Sequence, residues 1–195
     1  ATSAPMVAAC LATGTHYLDV TGEVEVLEAV YRRHDEAVAA GVVLLPAGGF
    51  DVVPTDCLAV RLAAALPGAT SLELAFALRG GRASRGTLRS ALEGMSTGGL
   101  RRVDGRLVTG PAGRPVRTVG FATGPASVGA IRWGDLASAY RSTGIPTITT
   151  YARLAPGGVM RVAGAPLARL MTLGPVRRAA GALVGRLPAG ADAAA

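Results

Sequence analysis

The stretch Val42-Val43-Leu44-Leu45-Pro46-Ala47-Gly48-Gly49-Phe50-Asp51-Val52-Val53-Pro54-Thr55-Asp56 constrains the fold more than any other. It opens with a short apolar run, too brief for a helix and without polar alternation, which predicts a strand buried on both faces. Strands of that kind belong to parallel sheets covered by helices, and open α/β sheets place their ligands at the carboxyl ends of the strands. Gly48 and Gly49 remove side chains where the backbone has to turn or come close to something. Pro54 suits the first turn of a helix, which has no use for the missing N–H.

The flanking segments agree with that frame. Residues 4–13 carry Met6, Val7, Cys10 and Leu11 on one helical face, with Gly14 as a stop. Tyr17, Leu18, Asp19 and Val20 read as a short strand. A helix is predicted from about Val24 to Ala40, with Val26, Leu27, Val30, Ala37 and Val38 inward, Arg32, Arg33, Asp35 and Glu36 outward, and Gly41 at its end. Helix, strand, helix, strand with short connections is the pattern of a parallel α/β sheet.

Beyond Pro54, Cys57, Leu58, Val60, Arg61, Leu62 and Leu66 read as a mostly buried helix that Pro67-Gly68 stops. Ser71 to Leu78 then alternates like a strand with one covered face. A loop from Gly80 to Gly86 leads to a helix from about Thr87 to Met95. Arg102-Val103, Arg106-Leu107-Val108 and Val116 to Phe121 read as strands, with Asp104-Gly105 as a hairpin turn. Trp133-Gly134-Asp135 leads a helix to Ser142, and Pro146 to Leu154 alternates as a strand. From Gly158 the chain reads as helical and dotted with arginine. The expected fold class is therefore α/β: the C-terminal part of a parallel sheet in residues 1–58, an α+β domain with a mainly antiparallel sheet in residues 59–157, and a helical tail in residues 158–195.

The formal charge of +7 suits an anionic partner, yet it resides in scattered arginines of a chain that lacks lysine, asparagine and glutamine. That bias follows a GC-rich coding sequence, and with 4% aromatic residues there is little for bases to stack on. Nucleic acid is not an expected partner. Cys10 and Cys57 have neither metal nor redox spacing, so a reducing cytoplasm is the default compartment. No apolar run is long enough to span a membrane. The chain starts at Ala1-Thr2-Ser3 and ends in an alanine tail, which reads as a fragment.

Chemistry-bearing residues gather at two predicted strand ends. His16 and Asp19 read best as satisfied structural groups. Thr21, Gly22 and Glu23 fit a nucleotide or substrate crevice and equally a helix start, where Glu23 favours the dipole. Asp51 could orient a ribose or take a proton, and Asp51 and Asp56 could equally complement the helix near Pro54. Ser84, Arg85, Gly86 and Thr87 could bind an anion at a helix N-terminus, although simple capping has the same appearance. No nucleophile elbow, metal-ligand cluster, P-loop or G-x-G-x-x-G turn is present, so no metal is expected. The arginine-dotted tail could lie on a membrane surface, or dock as a helix pair with solvated arginines.

The segments Gly14-Thr15-His16-Tyr17-Leu18-Asp19-Val20-Thr21-Gly22-Glu23 and Pro46 to Asp56 resemble the saccharopine dehydrogenase-like oxidoreductases. Within that group the resemblance is strongest to the bacterial branch that includes the trans-acting enoyl reductases. Ser84 to Ala91, and Trp133-Gly134-Asp135 through Tyr140-Arg141-Ser142-Thr143-Gly144-Ile145-Pro146, fit the same branch in order and spacing. Gly48 departs from it, standing where relatives commonly carry a cysteine, so no thiol role is expected there. The resemblance implies a Rossmann-type domain binding NAD(P), with NADP(H) favoured for the intact parent, and hydride transfer to a small-molecule or lipid-like substrate. It also implies a phosphate-binding turn ahead of these residues, so this chain alone is expected to be inactive. The crevice residues it points to are Thr21, Gly22, Glu23, Gly49, Phe50 and Asp51. No catalytic acid or base maps onto the sequence. The alternative expectation is a non-catalytic scaffold for self-association, a homodimer for instance, or for lipid-surface binding through the tail.

Overall fold

Two glycines set the outline of the first segment in the computed structural model, which describes residues 2–77, 98–153 and 173–185. Gly14 (φ 66°) and Gly41 (φ 64°) take the left-handed conformation and end helices α1 (Ser3–Thr13) and α3 (His34–Ala40). That backbone region disfavours any Cβ, which is why glycine stands at both stops. The single helix expected between Val24 and Ala40 is instead two, α2 (Val24–Tyr31) and α3. Arg33 leaves the helical region (φ −94°, ψ 17°) and its side chain forks onto both oxygens of Glu36 at 2.9 and 2.6 Å. The break puts Asp35 and Glu36 in the first turn of a new helix, where its dipole favours them.

Strands β1 (Tyr17–Leu18) and β2 (Leu44–Leu45) pair in parallel, Tyr17 opposite Leu44 and Leu18 opposite Leu45. One face of the pair meets the helices: Val7, Tyr17 and Val30 form a core with Cys10, Leu11, Val26 and Leu44. The other face carries Leu18, Val20, Val43 and Leu45, which are 49% to 69% exposed. This corrects the expectation of a strand buried on both faces. Side chains alternate across a strand, and the described helices cover one side only. Met6 and Val38, expected to point inward, are exposed as well.

Pro54 lies in the first turn of α4 (Val53–Ala65), as expected. The helix is not mostly buried, however: Leu58, Val60, Leu62 and Leu66 are 38% to 63% exposed, and Ala59 is its buried residue. Helix α4 packs on α5 (Asp135–Thr143), where Asp56 accepts from Ser142, and helical spacing puts Thr55, Asp56, Ala59 and Ala63 on one face of α4. These small or polar residues allow close approach of the two helices and leave the larger apolar side chains on the remaining faces.

The rest of the described strands form a six-stranded sheet from β3 (Ser71–Phe76), β4 (Gly99–Val103), β5 (Arg106–Gly110), β6 (Val116–Phe121), β7 (Gly124–Ile131) and β8 (Thr147–Arg153). Its order is β5-β4-β8-β7-β6, with β3 also pairing β8. The β4–β8 and β6–β7 pairs are antiparallel. Asp104 (φ 48°) and Gly105 (φ 77°) both turn left-handed, the conformation that the hairpin signal demands. Strand β8 departs from the alternation expected of it, since Ile148, Thr149, Thr150 and Tyr151 are all buried as in a central strand. Strand β7 was not expected, because its Gly, Pro and Ala have little strand preference. It is held instead by backbone pairing along the whole of β6.

The chain divides into two compact units. The first comprises Ala1–Leu74, Arg102–Leu107 and Arg132–Thr150, and the remaining described residues make the second. In the second, Val128, Ala130 and Tyr151 pack with Ala75, Val119 and Phe121. Helix α6 (Gly174–Gly185) agrees with the helical reading of that part of the tail. The loop from Gly80, the helix expected at Thr87 to Met95, the Ser84 to Thr87 anion candidate and most of the tail lie outside the described residues. Among the described residues, no helix is long and apolar enough to cross a membrane.

A buried cation organises the first unit. Arg102, 4% exposed, donates to the Leu136 carbonyl at 2.6 Å, to the Gly105 carbonyl at 2.7 Å and to the Glu28 carboxylate, and its guanidinium lies 4.1 Å from the centre of the Tyr140 ring. Arg102→Ala is expected to cost about 3 kcal/mol, because it leaves the buried Leu136 carbonyl and the half-buried Glu28 carboxylate and Gly105 carbonyl without their donor. Arg33→Ala breaks an exposed pair and is expected to leave the midpoint in place. Urea titration of the two variants checks the contrast.

Candidate functional site

Because β1 and β2 run parallel, the turns that leave them start from the same end. Asp19 ties those turns together. Its Oδ1 accepts the Thr21 and Ala47 amides, each at 3.0 Å, and its Oδ2 accepts the Tyr17 hydroxyl. Its carbonyl accepts the Gly48 amide at 2.8 Å. Burial, followed by the bond to Asp19, raises the Tyr17 hydroxyl above its ordinary pKa. His16 is likewise engaged, its Nδ1 accepting the Val43 amide at 3.0 Å. Both residues are the satisfied structural groups that they seemed from the sequence.

The six expected crevice residues lie on these turns. Gly22 sits against Asp51: a Cβ on Gly22 would be 3.8 Å from both Cβ and Oδ2 of Asp51. Gly49 is closer to its neighbour, since a Cβ there would come within 3.0 Å of Val20 Cβ. Only glycine lets that turn fold over the end of β1. Thr21, Gly22 and Gly49 are half-buried, Glu23 and Asp51 are exposed, and Phe50 presents its ring to solvent, 80% exposed. Glu23 occupies the N-cap position of α2, in keeping with the helix-start reading. Asp56 lies in the first turn of α4, but its Oδ2 is occupied by the Ser142 hydroxyl at 2.9 Å.

A third segment closes the site, and it was absent from the expected crevice. Trp133 donates its indole N–H to the Asp51 carbonyl at 2.6 Å. A Cβ on Gly134 would meet Val52 Cγ2 at 2.6 Å and the Gly22 carbonyl at 3.3 Å, so Gly134 is wedged against both turns. Asp135 follows, fully buried, and neither carboxylate oxygen has a hydrogen-bond partner among the described residues. Burial pushes its pKa up to about 6, with the Asp56 charge adding to the rise; the Thr55 hydroxyl and the Asp135 amide pull the other way without completing a bond. The Thr55 hydroxyl donates to the Val52 carbonyl. The one sequence signal for this wedge was Trp133-Gly134-Asp135 itself, a rare aromatic followed by a glycine and an acid.

Chemically, this is a notch lined by backbone and glycine, with the Asp51 side chain beside Gly22 and the exposed Glu23 next in sequence. It offers hydrogen-bond acceptors to hydroxyl groups and an aromatic face in Phe50. Among the described residues, no group of three His, Cys, Asp or Glu side chains could hold a metal ion.

No family model matches the chain. Part of it is similar to several curated proteins. It is 38% identical over 53 residues to the saccharopine dehydrogenase-like oxidoreductase of Bos taurus, covering 27% of this chain and 12% of that protein. It is 45% identical over 53 residues to the trans-acting enoyl reductase of Mycobacterium leprae, covering 27% and 13%. A Mycobacterium tuberculosis protein bearing a provisional form of the latter name is 39% identical over 100 residues, covering 48% and 24%. The matched part is thus between about an eighth and a quarter of these relatives' length. The shared stretches support a relationship to oxidoreductases in general.

Two substitutions test the wedge. Gly134→Ala forces a Cβ into Val52 and is expected to destabilise the chain by about 1–3 kcal/mol. Gly22→Ala meets only ordinary contact distances and is expected to be near neutral; thermal melts of both check this. Asp135 makes stability pH-dependent. Below its ordinary value of 3.8 the carboxyl is protonated in the folded and unfolded chain alike. Between 3.8 and about 6 the folded chain keeps a proton that the unfolded chain has released, so stability falls as pH rises, and above that the fall is complete. The stability of the wild type relative to Asp135→Asn is expected to drop by about 2 kcal/mol between pH 4 and 7, read by urea titration at each pH.

Proposed function

We propose that this chain is part of an NAD(P)-dependent oxidoreductase. In this reading residues 1–58 are the C-terminal part of a Rossmann-type nucleotide-binding unit, residues 59–157 serve substrate binding or dimerisation, and residues 158–195 form an arginine-rich tail. The observation that carries the reading is the pair of turns which Asp19 joins at the carboxyl end of two parallel strands. The bare apolar face of that pair also supports it, because parallel sheets are otherwise covered on both sides.

The residues present fit one portion of such a cofactor. Glu23 and Asp51 can accept hydrogen bonds from ribose hydroxyls, and Thr21, Gly22 and Gly49 let the backbone come close. Phe50 offers a face for a ring. Among the described residues, no cationic side chain or glycine-rich turn in the notch serves a pyrophosphate. A nicotinamide supplies or accepts the hydride when bound; the residues here position it and the substrate, which we take to be a small or lipid-like molecule.

Calorimetric titration with NADPH, run on this chain and on the product of the full gene, tests the proposal. Saturable binding is expected from the longer protein alone, with Asp51→Ala weakening it about tenfold through loss of a charge-assisted hydrogen bond. Equal affinity in the Asp51→Ala protein would remove Asp51 from the site, and absence of binding by the folded longer protein would remove the nucleotide.

A further inference from the structure

Asp135 is fully buried, has no hydrogen-bond partner on either oxygen among the described residues, and follows directly the two residues that hold the candidate crevice. Helical spacing puts Asp135, Ser138 and Ser142 on one face of α5. That face meets α4, since the Ser142 hydroxyl donates to Asp56 Oδ2. The seam is rich in acceptors. Among the described residues, Asp56 Oδ1, both Asp135 oxygens and the Ser138 hydroxyl are buried and have no hydrogen-bond partner. The charged and titratable groups on the elements packed against α5 are Asp56, Cys57 and Arg61 on α4, of which Cys57 and Arg61 are exposed; Glu25, Glu28 and Tyr31 on α2; and Arg101 and Arg102 on β4. Glu25 is held by Arg132 and Glu28 by Arg102. Arg102 in turn gives its Nε–H to the Leu136 carbonyl. Among the described residues, none of these sets a cation against the Asp135 carboxyl. An ionised carboxylate in such a place needs water, and water reaches it only if the first turn of α5 moves away from α4.

We propose that Asp135 is a proton-linked positioning residue for the crevice: with a proton on its carboxyl the first turn of α5 stays docked and Trp133 clamps the Asp51 carbonyl, and loss of that proton releases the clamp. Trp133 and Gly134 immediately precede Asp135, so an outward shift of Asp135 carries both along. It withdraws the indole N–H from Asp51 and the Gly134 backbone from Val52 and Gly22. The first turn of the helix favours a negative charge through the dipole. That offsets only part of the burial. The inference rests on the functional reading above solely in taking this notch as the binding site.

The chain contains a single tryptophan, so its fluorescence reports on the clamp without any label. Emission of the intact chain is recorded from pH 4.5 to 8, with circular dichroism to confirm that it stays folded. A red shift with a midpoint near 6 is expected as pH rises. Asp135→Asn should abolish the step and keep the blue-shifted emission. Asp56→Asn should move the midpoint downward by removing the like charge. His16→Gln and His34→Gln should leave it in place. Persistence of the step in Asp135→Asn, or its disappearance in either histidine variant, overturns the proposal. The wild-type Asp135 carboxyl is also followed directly by carbon-13 NMR, so the test does not depend on any variant folding, and a midpoint below 4.5 is equally fatal. No nucleotide enters these measurements. Failure here therefore leaves NADPH binding untouched, and failure of NADPH binding leaves this result standing.

Discussion

The crevice end of the first unit depends on one carboxylate. Asp19 takes the Thr21 amide from its own turn, the Ala47 amide from the turn after β2 and the Tyr17 hydroxyl from behind. Hydrogen bonds to a charged acceptor contribute about 1.5–3 kcal/mol each, more than neutral ones. That strength has a use here. Ala47 is held at φ 61°, a conformation that disfavours a Cβ by about 1–2 kcal/mol, and the bond from its amide to Asp19 holds it there. With Ala47 fixed, the Gly48 amide reaches the Asp19 carbonyl and Gly49 lies over Val20. The two-residue strands could not by themselves set this geometry, since so short a parallel pair has few ladder bonds.

Arg102 plays the matching part deeper in the unit, with the sign reversed. Its acceptors come from three separate elements: Glu28 on α2, Leu136 on α5, and Gly105 in the turn between β4 and β5. The left-handed Asp104-Gly105 turn brings that last carbonyl within reach, and Gly105 also accommodates Tyr140, whose hydroxyl would lie 3.0 Å from a Cβ there. A glycine chosen for the hairpin thus also seats the ring over which the guanidinium stacks. One residue meets a backbone requirement and a packing requirement together.

What could be read from the sequence follows the range of the interaction involved. Gly14, Gly41, Pro54 and Asp104-Gly105 were legible because each answers a demand of its own backbone. The alternation of Leu72 and Leu74 in β3 was legible for the same reason. The break at Arg33, the one-sided burial of β2 and the exposed flanks of α4 were not, because apolar periodicity tells which faces could be buried and not what is there to bury them. Arg102 was one of many scattered arginines in the sequence; its partner Glu28 is 74 residues away. The two turns of the crevice could be named singly from their glycines and acids. The Trp133 wedge, 82 residues beyond Asp51, could not be joined to them without the fold.

Charged side chains inside the first unit are of two kinds, and the difference has a physical logic. The half-buried Asp19 is met by two backbone amides and the Tyr17 hydroxyl, and the buried Arg102 by two backbone carbonyls and the Glu28 carboxylate, so each rigidifies its surroundings. Asp135 has neither oxygen met, and its lowest free-energy state near neutrality depends on proton concentration. A serine or asparagine at that position would pack into similar space without this dependence. Placing the unsatisfied carboxyl immediately after Trp133 and Gly134 concentrates the instability at a segment that touches both turns. Asp19 holds the two turns to each other regardless of that segment, so a change at Asp135 alters how the crevice is closed while the crevice itself persists.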